Sequence, residues 1–210
     1  MITACATFRT ELEGSSGLDQ QKVMGVEPVD VLFMSRHLQQ TRGLDAVPKL
    51  QNKYQIIRGY DDILLDATKE FSNLNRYAAF TEFSSDMSDP DRIKLKDSLM
   101  ANYELRIAIE IRKEKSFSKY FLGTIGSVIS LTLLPIPYTQ EYYLDVEVFD
   151  IEGRLIKTYS RSANTTKWVE ALLLPIYPFH TEIRKTEGIY VDFLHDVFRQ
   201  IEAEKVLRKS

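Results

Sequence analysis

Between Tyr103 and Ile111 the chain reads YELRIAIEI. Tyr103, Leu105, Ile107, Ile109 and Ile111 alternate with Glu104, Arg106, Ala108 and Glu110. A period of two is the mark of a β-strand with one apolar face and one mostly wet face. The fold must therefore contain a sheet whose apolar side is covered.

The neighbouring segments supply the rest of that sheet and its cover. Tyr142–Phe149 and Arg154–Ser160 are strand-like and are joined through Asp150-Ile-Glu-Gly153, where Gly153 can take a positive φ, so they predict an antiparallel hairpin. Val29–Arg36 (VDVLFMSR) follows a proline and reads as a strand covered on both faces, with a polar loop from His37 to Val47. From Pro48 onward Leu50, Tyr54, Ile57, Leu64, Ala67, Phe71 and Leu74 recur at helical spacing, with Gly59 as a possible break. Tyr77–Phe83 fits a further strand.

Ser88-Asp89-Pro90 offers an N-cap and a first-turn proline for a short helix to Leu99. Glu187–Arg208 closes the chain as a helix, with an apolar stripe of Ile189, Phe193, Leu194, Val197, Phe198 and Ile201. The order predicts an α/β (α+β) fold, a single sandwich of helices on a mixed, mainly antiparallel sheet. With 210 residues, 44% hydrophobic and 27% charged, one domain is expected. The formal charge of −3 gives no footprint for nucleic acid, which is set aside as a partner.

The single cysteine, Cys5, rules out an intramolecular disulfide and a cysteine-cluster metal site. It stands in Ile2-Thr3-Ala4-Cys5, small residues ahead of a cysteine. This stretch resembles the lipobox of bacterial lipoproteins, where the cysteine is lipidated. Such a box closes a secretory signal peptide, of which only Met1 precedes it in this sequence, so residues 1–5 read as a signal-peptide remnant.

Ala6–Gln21, with Gly14, Ser15, Ser16 and Gly17, is polar and aperiodic, and reads as a flexible tether. Residues 1–26 are thus expected to be lipobox remnant and tether, and 27–210 the domain. With Ala6 rather than Asp after the cysteine, the resemblance implies a lipid anchor in the outer membrane of the bacterial cell envelope, facing the periplasm. The order of elements over Val29–Lys205 is similar to the periplasmic domain of the curli-secretion-channel lipoprotein family.

Two segments break the rule that connections are polar. Residues 120–140 (YFLGTIGSVISLTLLPIPYTQ) and 171–179 (ALLLPIYPF) carry no charge, and LLPIPY in the first echoes LLPIYP in the second. If the strands run as predicted, both leave the same end of the sheet. Phe121, Leu133, Leu134, Ile136, Trp168, Leu173, Leu174 and Ile176 are the candidate membrane or partner contacts. Arg112, Lys113, Lys115, Lys119, Arg161 and Lys167 would form a basic collar suited to headgroups. The alternative use of the same segments is as core, with tyrosine hydroxyls at the rim.

No catalytic or cofactor pattern accompanies these features. His37, His180 and His195 lack metalloprotease spacing, and there is no Gly-rich phosphate loop or nucleophile elbow. Asp61, Asp62 and Asp66 fit a helix start, and Asp86, Asp89 and Asp91 fit turn and capping roles. The expectation is a non-enzymatic protein with no metal or cofactor, docking on a membrane, an envelope protein or a second copy. The competing class is an enzyme whose site is assembled from scattered residues.

Overall fold

The structure, a computed structural model, describes residues 4–18, 27–40, 50–53, 59–82, 88–99, 101–113, 136–170 and 182–208. Its strands are β1 (Ala4–Arg9), β2 (Val29–Gln40), β3 (Leu50–Lys53), β4 (Leu74–Thr81), β5 (Tyr103–Lys113), β6 (Ile136–Asp150) and β7 (Leu155–Glu170). Its helices are α1 (Tyr60–Ala67), α2 (Pro90–Leu99) and α3 (Glu182–Ala203), with a 3-10 turn at Thr68–Glu70. The sheet order is β1-β7-β6-β5-β2-β3, and β4 also pairs with β2. β2 runs parallel to β4 and β5, while every other pairing is antiparallel. The fold is α+β, helices on a mixed and mainly antiparallel sheet.

Alternation decides which side of the sheet is covered. Leu105, Ile107, Ile109 and Ile111 of β5 are buried together with Tyr142, Leu144, Val146 and Val148 of β6. Across them lies α3, whose stripe of Ile189, Tyr190, Phe193, Leu194, Val197, Phe198 and Ile201 is fully buried. Burial of each such side chain contributes roughly 1.5–3 kcal/mol, so this interface is the main source of stability. Phe198 stacks on Phe33 with ring centroids 5.6 Å apart and lies 4.9 Å from Phe71. α1 adds Tyr60, Leu64 and Ala67 to the same layer.

The opposite side is covered only over part of its width among the described residues. Leu32 and Met34 of β2 and Ala78 and Phe80 of β4 form a smaller cluster under Leu99 of α2. Thus β2 is covered on both faces, which is why its sequence is a nearly continuous apolar run. Arg92 of α2 donates from Nη2 to the Ala79 carbonyl of β4 at 2.9 Å and lies 5.0 Å above the Phe80 ring. The Asp89 carboxylate caps α2 by accepting the Asp91 N–H at 2.9 Å.

Four expectations need correction. β2 does not stop at Arg36: His37–Gln40 remain in the sheet because they bond to β5 on one side and β3 on the other. Leu50–Lys53, expected in a helix, is that β3 strand, so edge pairing overrides the helical spacing. Residues 54–58 of that stretch lie outside the described residues, and the helix begins only after Gly59.

The tether expected over 1–26 is, over residues 4–18, part of the fold. β1 adds antiparallel to β7, and Glu13 exchanges backbone hydrogen bonds with Ser162 at 2.9 and 3.2 Å. Finally, the hairpin strands are longer than predicted, so residues 136–140 of the first apolar segment belong to β6 and Trp168 to β7.

Candidate functional site

Strand register gathers the candidate contacts that fall on described residues. Val169 of β7 is flanked by Ile136 of β6 and by Cys5 of β1, and Trp168 is flanked by Pro137 and Ala6. The chain leaves β5 at Lys113, opposite Gln140, and re-enters the sheet at Ile136. It leaves β7 at Glu170, opposite Ala4. The cysteine, the entry of the first apolar segment and the exit to the second therefore share one end of the sheet. Phe121, Leu133, Leu134, Leu173, Leu174 and Ile176 lie outside the described residues.

The expected basic collar is reduced. Arg161 points into the core and is only 6% exposed. Its Nε donates to the Asp196 carboxylate of α3 at 2.6 Å, its Nη1 to the Ser160 carbonyl at 2.8 Å, and its Nη2 to Gln200. Arg112 stays on the open face, 2.6 Å from Glu110 and 4.7 Å above the Tyr143 ring.

Toward the middle of the sheet, where His37 registers with Ile109 of β5, lies a polar group within the core. Ser35 and Tyr60 share a hydrogen bond of 2.9 Å, and the His37 ring meets Tyr60 edge-on at 4.6 Å. His37 is 1% exposed and, among the described residues, neither ring nitrogen has a hydrogen-bond partner, nor has the buried Tyr190 hydroxyl. Burial pushes the His37 pKa down to about 4, so the ring is neutral at physiological pH. Burial likewise raises the Tyr60 and Tyr190 phenols far above their ordinary range. Tyr142 reaches Thr186 at the start of α3 at 3.1 Å. These groups can bond a hydroxyl or an amide, but none is an ionised acid or base.

A second cluster joins α3 to α1. His195 Nδ1 is 2.7 Å from Glu70 and its Nε2 is 3.3 Å from Asp66, while Arg199 donates to the same Glu70 oxygen at 3.1 Å. Burial alone would raise the Glu70 carboxyl, but the hydrogen bonds from Arg199 and His195 outweigh it and hold the group below its usual range. The imidazole thus has a carboxylate on each side. Among the described residues, no group of three or more His, Cys, Asp or Glu could hold a metal ion. Nor is any described helix long and apolar enough to cross a membrane.

Sequence reasoning missed the Arg161–Asp196 pair. Its signal was available: Arg161 falls on the inward parity of β7 with Tyr159 and Ala163, and such a cation requires a buried partner.

The architecture defines an α+β domain with one end marked by a cysteine and two apolar chain passages. No family model matches the chain, and no curated protein matches it. Among solved structures, it is similar to a PelC dodecamer from Paraburkholderia phytofirmans at 12% identity and a TM-score of 0.36, covering 94% of this chain and 97% of that one. A single-substitution variant of that dodecamer gives 11% identity and a TM-score of 0.33, covering 93% and 98%. Similarity this low carries no argument about function.

Proposed function

We propose that this is a non-enzymatic, lipid-anchored protein of the bacterial cell envelope that docks on a membrane or protein partner through its paired apolar segments. The supporting observation is the shared sheet end: Cys5, Ile136 and Trp168 lie within one residue of each other in register across β1, β7 and β6. A lipid on that cysteine would bring the uncharged segments 120–140 and 171–179 to the same interface. Acyl chains contribute about 0.8 kcal/mol per buried methylene, and one chain alone anchors only marginally. Uncharged segments beside the anchor would add the second attachment.

Intact mass and detergent partitioning of the protein from its native host test the anchor, with acyl chains on Cys5 expected. Leu134→Asp and Leu174→Asp test the docking role. Each should weaken vesicle or partner binding roughly tenfold or more, given the cost of carrying a carboxylate into an apolar interface, while far-UV circular dichroism stays unchanged. Full binding by both folded variants would refute docking through these segments.

A second reading, an enzyme, draws on His195, whose side chain is 23% exposed and held between two carboxylates. It predicts that His195→Gln abolishes a turnover found by substrate screening.

A further inference from the structure

Residues 9–18 run along α3 with a contact at nearly every turn. Arg9 pairs with Asp192, Ser15 Oγ donates to Asp196 at 2.7 Å, the Ser16 N–H donates to the same carboxylate at 3.3 Å, and Arg199 Nη1 donates to the Leu18 carbonyl at 3.2 Å. Positions 192, 196 and 199 form one helical face. On the other flank the Thr10 N–H bonds the Asn164 carbonyl and Glu13 bonds Ser162. Leu12 packs against the main core. Gly14 has φ +83°, and a Cβ there would meet the Ser160 carbonyl oxygen at 3.1 Å, so the close approach needs glycine. The seat is a buried ion pair, Arg161 with Asp196, and Ser15 and Ser16 of the arm bond the same carboxylate.

We propose that residues 4–18 are a docked arm that mounts the domain on whatever surface holds its N-terminus, at fixed distance and orientation, with the β1-β7-β6 end turned toward that surface. That the surface is a lipid bilayer rests on the proposed role of Cys5. A tether would behave differently. As flexible coil, the 24 residues from Cys5 to Val29 would have a root-mean-square span of roughly 25–30 Å and leave the domain free to turn. The docked arm holds Cys5 one backbone pairing from β7, beside the strand ends at Ile136 and Glu170.

The test couples the full-length protein through its single cysteine to phosphatidylcholine vesicles carrying a maleimide lipid and a dansyl headgroup acceptor. Energy transfer from Trp168, the single tryptophan, reports the height of the β7 end. A Gly/Ser insert of about twelve residues after Leu18 lies beyond the arm and should leave the transfer unchanged; a tether would lengthen, and transfer would fall by roughly half or more.

Amide exchange on the unmodified protein supplies the second measurement. Slow exchange at Thr10 and Glu13, comparable with Ser162, supports docking, and exchange at free-coil rates overturns it. Gly14→Val should speed exchange over residues 10–18 and lower the transfer while β5 amides stay protected; unchanged exchange and transfer would overturn the assigned seat. Failure of the lipid-anchor reading appears separately, as an unmodified mass from the native host.

Discussion

His37 is a neutral imidazole with no hydrogen-bond partner among the described residues, and its burial has a measurable cost in acid. In the unfolded chain the ring takes up its proton near the ordinary pKa of 6.5, whereas in the fold it does so only at about 4. Between those values the unfolded state binds the additional proton, so stability falls as pH falls. From pH 6.5 to 5 the loss is about 1.5 kcal/mol. Urea denaturation at these two pH values should show it, and His37→Leu should remove most of the difference; an unchanged slope in the variant would show that other groups carry the acid response.

Arg161 and Asp196 make the opposite case. Burial would raise the Asp196 carboxyl, but bonds from Ser15 and Arg161 hold it below the usual range. Asp196→Ala leaves a buried guanidinium uncompensated and should cost about 3–5 kcal/mol. Replacing both partners by apolar residues should cost less. His37 lay in a stretch read as a polar loop, so no parity applied to it, whereas Arg161 shares the parity of Tyr159 and Ala163 and was legible once β7 was extended past Ser160.

At the scale of elements, legibility followed how much of the signal was local. β5, the β6–β7 hairpin, α2 and the last helix each carry their own periodicity or cap and were recognised as elements, with β5 and α2 near their true bounds, the hairpin strands read short and α3 displaced by five residues. β3 (LQNK) carries none; it exists because β2 offers an edge at His37–Gln40. The Gly-Ser-Ser-Gly stretch misled for a related reason. Glycine and serine report a turn with positive φ and short side-chain hydrogen bonds, which suits a loose linker and a docked arm equally.

The end of α3 offers a test of local geometry. Lys205 sits at φ 59°, and the Val206 N–H reaches back to the Ile201 carbonyl at 3.2 Å, the left-handed helix ending that glycine favours. Lys205→Gly should therefore stabilise the protein by about 0.5–1 kcal/mol. A lower melting temperature would mean that the side chain contributes more than the backbone strain costs.

For the whole molecule, the fold class was readable because strands and helices alternate early and cluster late, and the apolar sides of both elements had to meet. That two apolar segments leave one end of the sheet was also derivable, from antiparallel order alone. That Cys5 shares this end was not. It depends on β1 crossing to the far edge of the sheet to pair with β7, a contact between residues more than 150 positions apart. Pairings of that range leave no mark on either segment alone.

The two margins of the sheet are unlike. On the β4 side, α2 lies close by and Arg92 already occupies the Ala79 carbonyl, so an incoming strand would have to displace a guanidinium held over Phe80. On the β1 side, no further strand is paired among the described residues. Edge-to-edge growth into a fibre needs two open margins per molecule. The obstruction covers the β4 stretch and not β3, which lies on the same margin, so of β1 and β4 it is β1 that an added strand would meet with less to displace.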